Sequence, residues 1–508
     1  MMVAREENRK TYDYDRELVR GKLQGGFRSA GSESTVADLA GLTGLPLNQI
    51  EAELPALADE FGARLRVTEK GEILYSFPDG MKSRYRGFGP TMKRALRKIG
   101  KISVEVGKTL FKVWIAVMLV GYFVLFIALA LFAMVASVAV QQGGGGRDSR
   151  SSRRGGGGLG GLWLTGRLFD SLIRIWFYSE LFKSPESRER QALGRRERRP
   201  IHKAVFSHVF GEGDPNPNWP EVEKKAVVAF LQTHKGIITM AEFMAITGMD
   251  PLEAELAINK YLLEFEGNPG VTDAGALYFS FPKLLARLGS TPDIMASSVA
   301  LKRLNKFSMN SPKADNVFRL INIFNLAFGG YFLYNALTIG QAIYISTPKG
   351  LALRGGFPLI YSAAGYLFQM LGASNPIPGM FWGLGIVPLA FSAFFFGIPI
   401  IRSIRQKAQD ERIKFENLRR VVYRNILGTK GIFRPESVDA PLDEARPADS
   451  RASDTIAKRL AAWSGAEPLD GGYRFSELAR IQDEAEKLRA EIDGASFAPG
   501  KTVFDTND

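Results

Sequence analysis

A short residue pattern is written twice in this chain, and a pattern repeated at fixed spacing marks a repeated structural unit. The first copy runs Thr35-Val-Ala-Asp-Leu-Ala40, Thr43-Gly44, Glu51-Ala-Glu-Leu54, Val67-Thr68, Gly71 and Tyr75-Ser-Phe-Pro78. The second runs Thr239-Met-Ala-Glu-Phe-Met244, Thr247-Gly248, Glu253-Ala-Glu-Leu256, Val271-Thr272, Gly275 and Phe279-Ser-Phe-Pro282. Matching positions lie 204 apart, 202 apart across Glu-Ala-Glu-Leu, and 204 apart again. Each copy reads as short helices followed by a hairpin. Leu47, Ile50, Leu54, Leu57 and Phe61 fall on one helical face. Residues 64–68 and 72–77 then alternate around Glu69-Lys-Gly71, and the second hairpin turns at Asp273-Ala-Gly275. Helices followed by a hairpin is the winged-helix order, so we expect two small α+β winged-helix-like modules, over 34–78 and 200–290.

Between and after the copies the chain is apolar. Val113–Val140, Leu320–Ser346 and Gly355–Ile401 carry no charged residue. A bilayer crossing needs ~20 apolar residues. The expected fold class is therefore mixed: a helical transmembrane bundle carrying the two modules. Spans are expected over 113–140, 320–346, 353–372 and 379–401, with Ala373-Ser-Asn-Pro-Ile-Pro378 breaking the last two. The remaining domains are a disordered N-terminus over 1–33, a basic amphipathic lead-in over 81–112 and a Gly/Arg/Ser linker over 141–161. An interfacial helix is expected over 162–183, where Trp163, Phe169 and Trp176 mix with Arg167, Asp170 and Arg174. A basic helix over 402–430 leads to a partly disordered tail, 431–508, with an amphipathic helix over 475–493.

Net charge is +13, and its excess is local. Lys93, Arg94, Arg97, Lys98 and Lys101 precede the first span, and Arg195, Arg196, Arg198 and Arg199 form a second cluster. Basic residues beside a span contact anionic head groups and mark a cytoplasmic end. The first ten residues are charged and have no apolar core, so targeting falls to the first hydrophobic helix. A multi-pass protein of the cytoplasmic (inner) membrane is expected. Four spans place the second module opposite the first. A crossing at 162–182 would bring the two modules together.

Little chemistry is visible. The absence of cysteine excludes disulfides, thiolate metal sites and thiol nucleophiles in this chain. His202, His208, Glu212 and Asp214 lack a diagnostic metal spacing, and no cofactor is expected. The unusual motif is Phe210-Gly-Glu-Gly-Asp-Pro-Asn216, where Gly211, Gly213, Asp214, Pro215 and Asn216 suit a turn and form a candidate interaction motif. Asn322, Asn325, Asn335 and Gln341 are polar positions within the second apolar stretch, suited to hydrogen bonds between helices. Residues 34–78 hold seven acidic against three basic side chains, and 224–282 hold seven against four. A groove-reading helix needs the opposite balance, so nucleic acid is a disfavoured partner. We expect no enzyme but a scaffold or assembly factor whose modules bind an unknown protein partner. The alternatives are a small uncoupled transporter or channel, and a membrane-tethered transcriptional regulator.

The ordered set Glu72-Ile-Leu-Tyr-Ser-Phe-Pro78, the Gly/Arg-rich linker, Val209–Asn216, Leu277-Tyr-Phe-Ser-Phe-Pro282 and Gly397-Ile-Pro-Ile-Ile-Arg402 resembles an uncharacterised family of cyanobacterial and chloroplast multi-span membrane proteins. The resemblance covers roughly 30–427. Some members bear an iron–sulfur cluster biosynthesis label, but a chain without cysteine cannot ligate a cluster by thiolate. The resemblance brings no catalytic residues with it.

Overall fold

A computed structural model describes residues 13–30, 33–78, 80, 81, 88–143, 200–288, 301–339, 344–347, 350–353, 358–438, 443–493, 497 and 499–506. Within 88–143, side chains are described for 105–135. The fold is mostly helical with small antiparallel sheets. It divides into two units: 1–93, 214–305 and 407–508 form the first, and 94–213 with 306–406 the second.

In chain order, the first module holds α1 (Arg16–Ala30), β1 (Glu33–Ser34), α2 (Val36–Thr43), α3 (Leu47–Phe61), β2 (Arg64–Thr68) and β3 (Ile73–Ser76). The apolar region begins with α4 (Phe88–Gly143) and α5 (Ile201–Phe210). The second module holds α6 (Trp219–Thr233), β4 (Ile237–Ile238), α7 (Met240–Thr247), α8 (Pro251–Glu264), β5 (Asn268–Val271) and β6 (Leu277–Ser280). Next come α9 (Pro312–Thr338), β7 (Tyr344–Thr347), β8 (Gly350–Leu353), α10 (Leu359–Met370) and a π-helical stretch, Gly379–Ile386, that runs into α11 (Val387–Gly428). The chain ends with β9 (Ile432–Phe433), α12 (Ala452–Ser464), β10 (Glu467–Leu469), β11 (Gly472–Arg474), α13 (Ser476–Glu491) and β12 (Thr502–Asp505).

The two copies match in detail. Thr35 and Thr239 each close a capping box, with Asp38 and Glu242 at the third helical position. Gly44 and Gly248 end α2 and α7 in the left-handed region, at φ 68° and 69°. Gly71 and Gly275 take positive φ in the two hairpins. The two-residue shift across Glu-Ala-Glu-Leu is not structural. The first bond between residues four apart at the start of α3 is Ile50 N–H to Pro46, and at the start of α8 it is Ala254 N–H to Asp250, so the register is 204 there too. Buried Ile50 and Leu54 then match buried Ala254 and Ile258.

The first module starts earlier than expected. The polar segment 1–33 contains α1, whose Val19, Leu23 and Phe27 are buried against α2 and α3. Over 16–30 the chain is helical, because three apolar residues four apart are enough to seat a helix on an existing core, while residues 1–12 lie outside the described residues. The second module starts later than residue 200, since α5 packs with the apolar helices of the second unit.

The tail contains a third copy that the sequence reading missed. Lys235-Gly236-Ile237 and Lys430-Gly431-Ile432 take the same backbone path: φ is 52° at Lys235 and 50° at Lys430, and both glycines are positive. The Gly236 carbonyl accepts from Phe281 N–H at 2.8 Å, and the Gly431 carbonyl from Phe475 N–H at 2.7 Å. The sheet orders are also the same: β1-β3-β2, β4-β6-β5 and β9-β11-β10. Here the end of α11 is the first helix and α12 stands where α3 and α8 stand. Residues 431–438 and 443–475 belong to this copy, and α13 follows close to the expected 475–493.

One apolar core runs through all three modules, from Val19 and Leu54 through Phe243 and Phe281 to Val422, Phe433 and Leu460. The joints repeat. A Cβ on Gly44 would lie 3.3 Å from the Glu221 carbonyl oxygen and from the Lys225 side chain. A Cβ on Gly248 would lie 2.8 Å from the Glu416 carbonyl oxygen and from the Arg420 side chain. Glu416 and Arg420 are the third-module equivalents of Glu221 and Lys225, so each module sets the end of its second helix on the first helix of the next. Arg420, 1% exposed, donates to the carbonyls of Ile246 and Thr247 and to Glu416, and lies 5.0 Å over the Trp219 ring.

In the second unit, three helices among the described residues are long and apolar enough to cross a membrane: Glu105–Val135, Pro312–Thr338 and Gly379–Gly428. The lead-in over 81–112 is continuous with the first span from Phe88 onward. The expected span 320–346 is α9, which begins at Pro312 after the Ser311 cap and ends at Thr338. Among the described residues, the expected span 353–372 holds no helix of crossing length. α10 covers only Leu359–Met370, about 18 Å at ~1.5 Å per residue, and β7 and β8 precede it. The stretch 379–401 and the basic helix 402–430 form one continuous rod through the π turn and α11. Linker residues 144–161 and the helix expected over 162–183 lie outside the described residues.

The spans meet through small residues. A Cβ on Gly385 would lie 3.2 Å from the Leu333 Cα. In a π-helix the N–H five residues on serves each carbonyl. For Gly383 that residue is Pro388, which has none. The Tyr122 hydroxyl supplies the missing donor, at 2.9 Å to the Gly383 oxygen.

Two outcomes follow. Gly431→Ala should destabilise the first unit by about 1–3 kcal/mol, because the added Cβ would sit 2.6 Å from the Phe475 carbonyl oxygen at a positive φ. Gly471→Asn, at an open turn position, should change stability by less than about 0.5 kcal/mol. Thermal unfolding of the full chain in detergent reads both; equal effects would refute the equivalence of Gly431 with Gly236. Tyr122→Phe should lower the unfolding temperature by the equivalent of about 1 kcal/mol, and no change would refute its role at Gly383.

Candidate functional site

Two places carry polar or exposed groups that packing alone does not explain. The first is a buried knot in the second unit. His208, in the last turn of α5, is 1% exposed and ringed by Phe307, Phe318 and Phe395. Its Nδ1 lies 3.1 Å from Oδ1 of Asp315, in the first turn of α9. The same Asp315 oxygen accepts from Asn310 Nδ2 at 2.8 Å and from Ser308 Oγ at 3.3 Å. Arg402 donates to the carbonyls of Ser207, His208 and Phe307, at 3.2, 3.0 and 2.7 Å. Those first two carbonyls belong to the C-terminal turn of α5, where the Ser207 carbonyl also accepts from Gly211 N–H at 2.9 Å. Gly211, φ 79°, follows directly, and a Cβ there would meet the guanidinium at 2.5 Å.

The motif at 210–216 is therefore split between two settings. Phe210 stacks with Phe206 and tilts against Phe111. Gly211 makes room for Arg402. Gly213 turns at φ 86°. In the first unit, Asp214 accepts from Asn216 N–H, and Asn216 exchanges hydrogen bonds with the backbone of Arg303 in both directions, at 2.8 and 2.9 Å. Pro215 fixes the turn between them. A turn explains these residues better than a ligand, and no metal-binding group of His, Asp or Glu occurs among the described residues.

The intramembrane polar residues are structural donors. Asn322 exchanges bonds with Ser392, donating to its carbonyl at 3.3 Å and accepting from its hydroxyl at 3.0 Å. Asn325 donates to the Leu119 carbonyl at 2.7 Å. Asn335 donates to Tyr331 in its own helix. Gln341 lies outside the described residues. Lys93, Arg94, Arg97, Lys98 and Lys101 lie on α4, where side chains are outside the described residues. Sequence reasoning passed over Asp315 and Arg402; their signal was charge placed at the ends of two apolar stretches.

The second place is the outer face of α8. Leu252, Leu256 and Leu263 are 69, 77 and 45% exposed, one helical stripe open to solvent. Val271 and Leu277 on the adjoining hairpin are exposed as well. At the equivalent positions of α3 stand Asn48, Ala52 and Asp59, and in the third module Arg451 at the N-cap of α12, then Thr455 and Ala462. Glu253, Glu255 and Glu266 flank the stripe, and all three are exposed.

Against known proteins, no family model matches the chain, and no solved structure matches it. It is similar to an uncharacterized chloroplastic protein of Arabidopsis thaliana, At5g03900, at 23% identity over 286 residues. That alignment covers 52% of this chain and 49% of the plant protein, so the chain spans about half the length of the relative it matches. The similarity is consistent with a plant and cyanobacterial type of protein, and it brings no iron–sulfur label.

Burial lowers the His208 pKa below its ordinary 6.5, with Asp315 pulling it back up and Arg319 and Arg402 adding to the depression. The folded state therefore holds the imidazole neutral more firmly than the unfolded state does. That stability is complete above about pH 6.5 and is lost as pH falls below it. Thermal unfolding of the full chain between about pH 8 and 5.5 should show a stability loss that is smaller in His208→Gln. An identical acid profile in the variant would contradict this placement.

Proposed function

We propose that this chain is a non-enzymatic integral membrane protein whose winged-helix-like modules form one rigid scaffold for a protein partner. The observation that carries the proposal is the outer face of α8. That helix occupies the position a winged helix uses to read DNA, yet it presents Leu252, Leu256 and Leu263 between glutamates. An exposed apolar stripe rimmed by carboxylates repels phosphate and suits a protein surface. We take the membrane to be the cytoplasmic (inner) membrane; the plant relative is a chloroplastic protein.

The shared core supports one topology. Three modules packed around one core lie on one side of a bilayer, so an even number of crossings separates them. α4, α9 and α11 supply three candidate crossings. α10 is too short to span, so α9 and α11 carry the chain across and back between the second module and the tail.

Single cysteines at Ser29, Asn259, Ser374 and Ser450, all exposed, test this with an impermeant thiol reagent on oriented vesicles. Ser29, Asn259 and Ser450 should label together and Ser374 from the opposite face. Asn259 labelling with Ser374 would sink the arrangement. For the partner, a photo-crosslinking residue at Leu256 in native membranes should give discrete protein adducts that disappear with Leu252→Glu. Adducts to lipid alone, or retention of duplex DNA by the intact chain, would overturn the reading.

A further inference from the structure

The three modules differ at one edge. In the second module the outer strand of the hairpin is Asn268-Pro-Gly-Val271, with Pro269 paired to Phe279. In the third it is Glu467-Pro-Leu469, with Pro468 paired to Tyr473. Proline has no N–H and stands on edge strands that must not accept a further strand. The equivalent residue of the first module is Leu65, paired to Tyr75. Two modules are thus closed to strand addition and one is open.

The open edge is occupied by the chain's own C-terminal segment. β12 pairs with β2 antiparallel, Thr502 opposite Thr68, Phe504 opposite Val67 and Asp505 opposite Arg66, with an irregularity between the first two. Glu69 N–H donates to the Lys501 carbonyl at 2.9 Å, and Thr506 N–H to the Leu65 carbonyl at 3.0 Å. Leu65 N–H donates to Thr506 Oγ1 at 3.1 Å. The N–H that proline removes in the other modules is one that holds the tail here.

One side chain reads the segment. Asp505, 7% exposed, receives a forked pair from Arg64, Nε to Oδ1 at 2.9 Å and Nη2 to Oδ2 at 2.5 Å. Arg66 lies 3.5 Å from the same carboxylate and is itself positioned by Glu33 at 2.7 Å. A bidentate fork selects a carboxylate with defined orientation. The second module has Asn268 and Gly270 where these arginines stand, and the third has Glu467 and Leu469. Val503 and Phe504 are 67 and 57% exposed, so no apolar side chain of the strand anchors it. A short strand held by a backbone ladder and one carboxylate is exchangeable.

We propose that the outer edge of β2 is a strand-addition site for an extended segment carrying an aspartate, supplied by a partner protein, and that residues 501–506 fill it as a displaceable internal ligand. The mode is β-augmentation: backbone bonds give affinity and the Arg64–Arg66 pair gives selectivity. This surface is separate from the α8 stripe, so either site can fail without the other.

The test uses the full chain in detergent, intact or ending at Gly500, and a labelled synthetic peptide of residues 500–508. The shortened chain should bind the peptide saturably. The intact chain should bind at least about tenfold more weakly, because its own tail competes at high effective concentration. Asp505→Asn in the peptide, or Arg64→Ala in the shortened chain, should weaken binding by about tenfold or more. Leu65→Pro in the shortened chain copies the other two modules and should abolish binding while thermal unfolding stays cooperative. If the shortened chain does not fold, Asp505→Ala in the intact chain should loosen the tail and raise peptide affinity. No binding to either opened form, equal binding to the intact chain, or full binding by Leu65→Pro would each overturn the proposal.

Discussion

The first unit depends on a close helix approach that occurs twice. Glycines at the ends of α2 and α7 let the next module's first helix come to backbone contact, at Glu221 and at Glu416. A Cβ would crowd the joint at Gly44 and clash at Gly248, and the left-handed conformation already favours glycine at both. At the second joint the approach is reinforced by a buried guanidinium. Arg420 satisfies two carbonyls of α7 while pairing with Glu416, with Glu223 3.6 Å away. A buried charge is tolerable only when its donors are used. Here they are spent on open helix-end carbonyls, joining residues 174 and 173 positions apart.

The C-terminal segment binds this array together a second time. Arg489 pairs with Glu242 at 2.6 Å and donates to the Ile237 carbonyl, while Gln482 reaches the other Glu242 oxygen. Glu242 is also the capping-box residue of α7, so the helix start and the strap share one carboxylate. The strand that follows the strap then closes the edge of the first module. Long-range order in this unit is thus set by a few helix ends and one sheet edge, supported by a common apolar core.

What the sequence disclosed was local. Capping boxes at Thr35 and Thr239 and turn glycines at Gly71 and Gly275 are fixed by residues within a few positions, and both were legible. The third module was not, because its middle helix is replaced by short turns around Pro435 and Asp443, leaving Lys430-Gly431 as the main surviving signature. α1 escaped because Gly21, Gly25 and Gly26 dilute its apolar face, and only tertiary packing rescues it. The stretch 353–372 misled because apolarity was read as length. α10 starts at Leu359 behind the Pro358 cap, and 354–357 lie outside the described residues. The His208–Asp315–Arg402 knot joins residues nearly 200 positions apart, which periodicity cannot reveal.

The central claim is that three copies of one module act as one folded body through the joint at Arg420. Hydrogen exchange of the full chain, compared between the native sequence and Arg420→Met, tests it most directly. The account predicts that amides of α7, 240–247, lose protection together with those of β9 and α12. Loss confined to residues 415–475, with α7 unchanged, would contradict it.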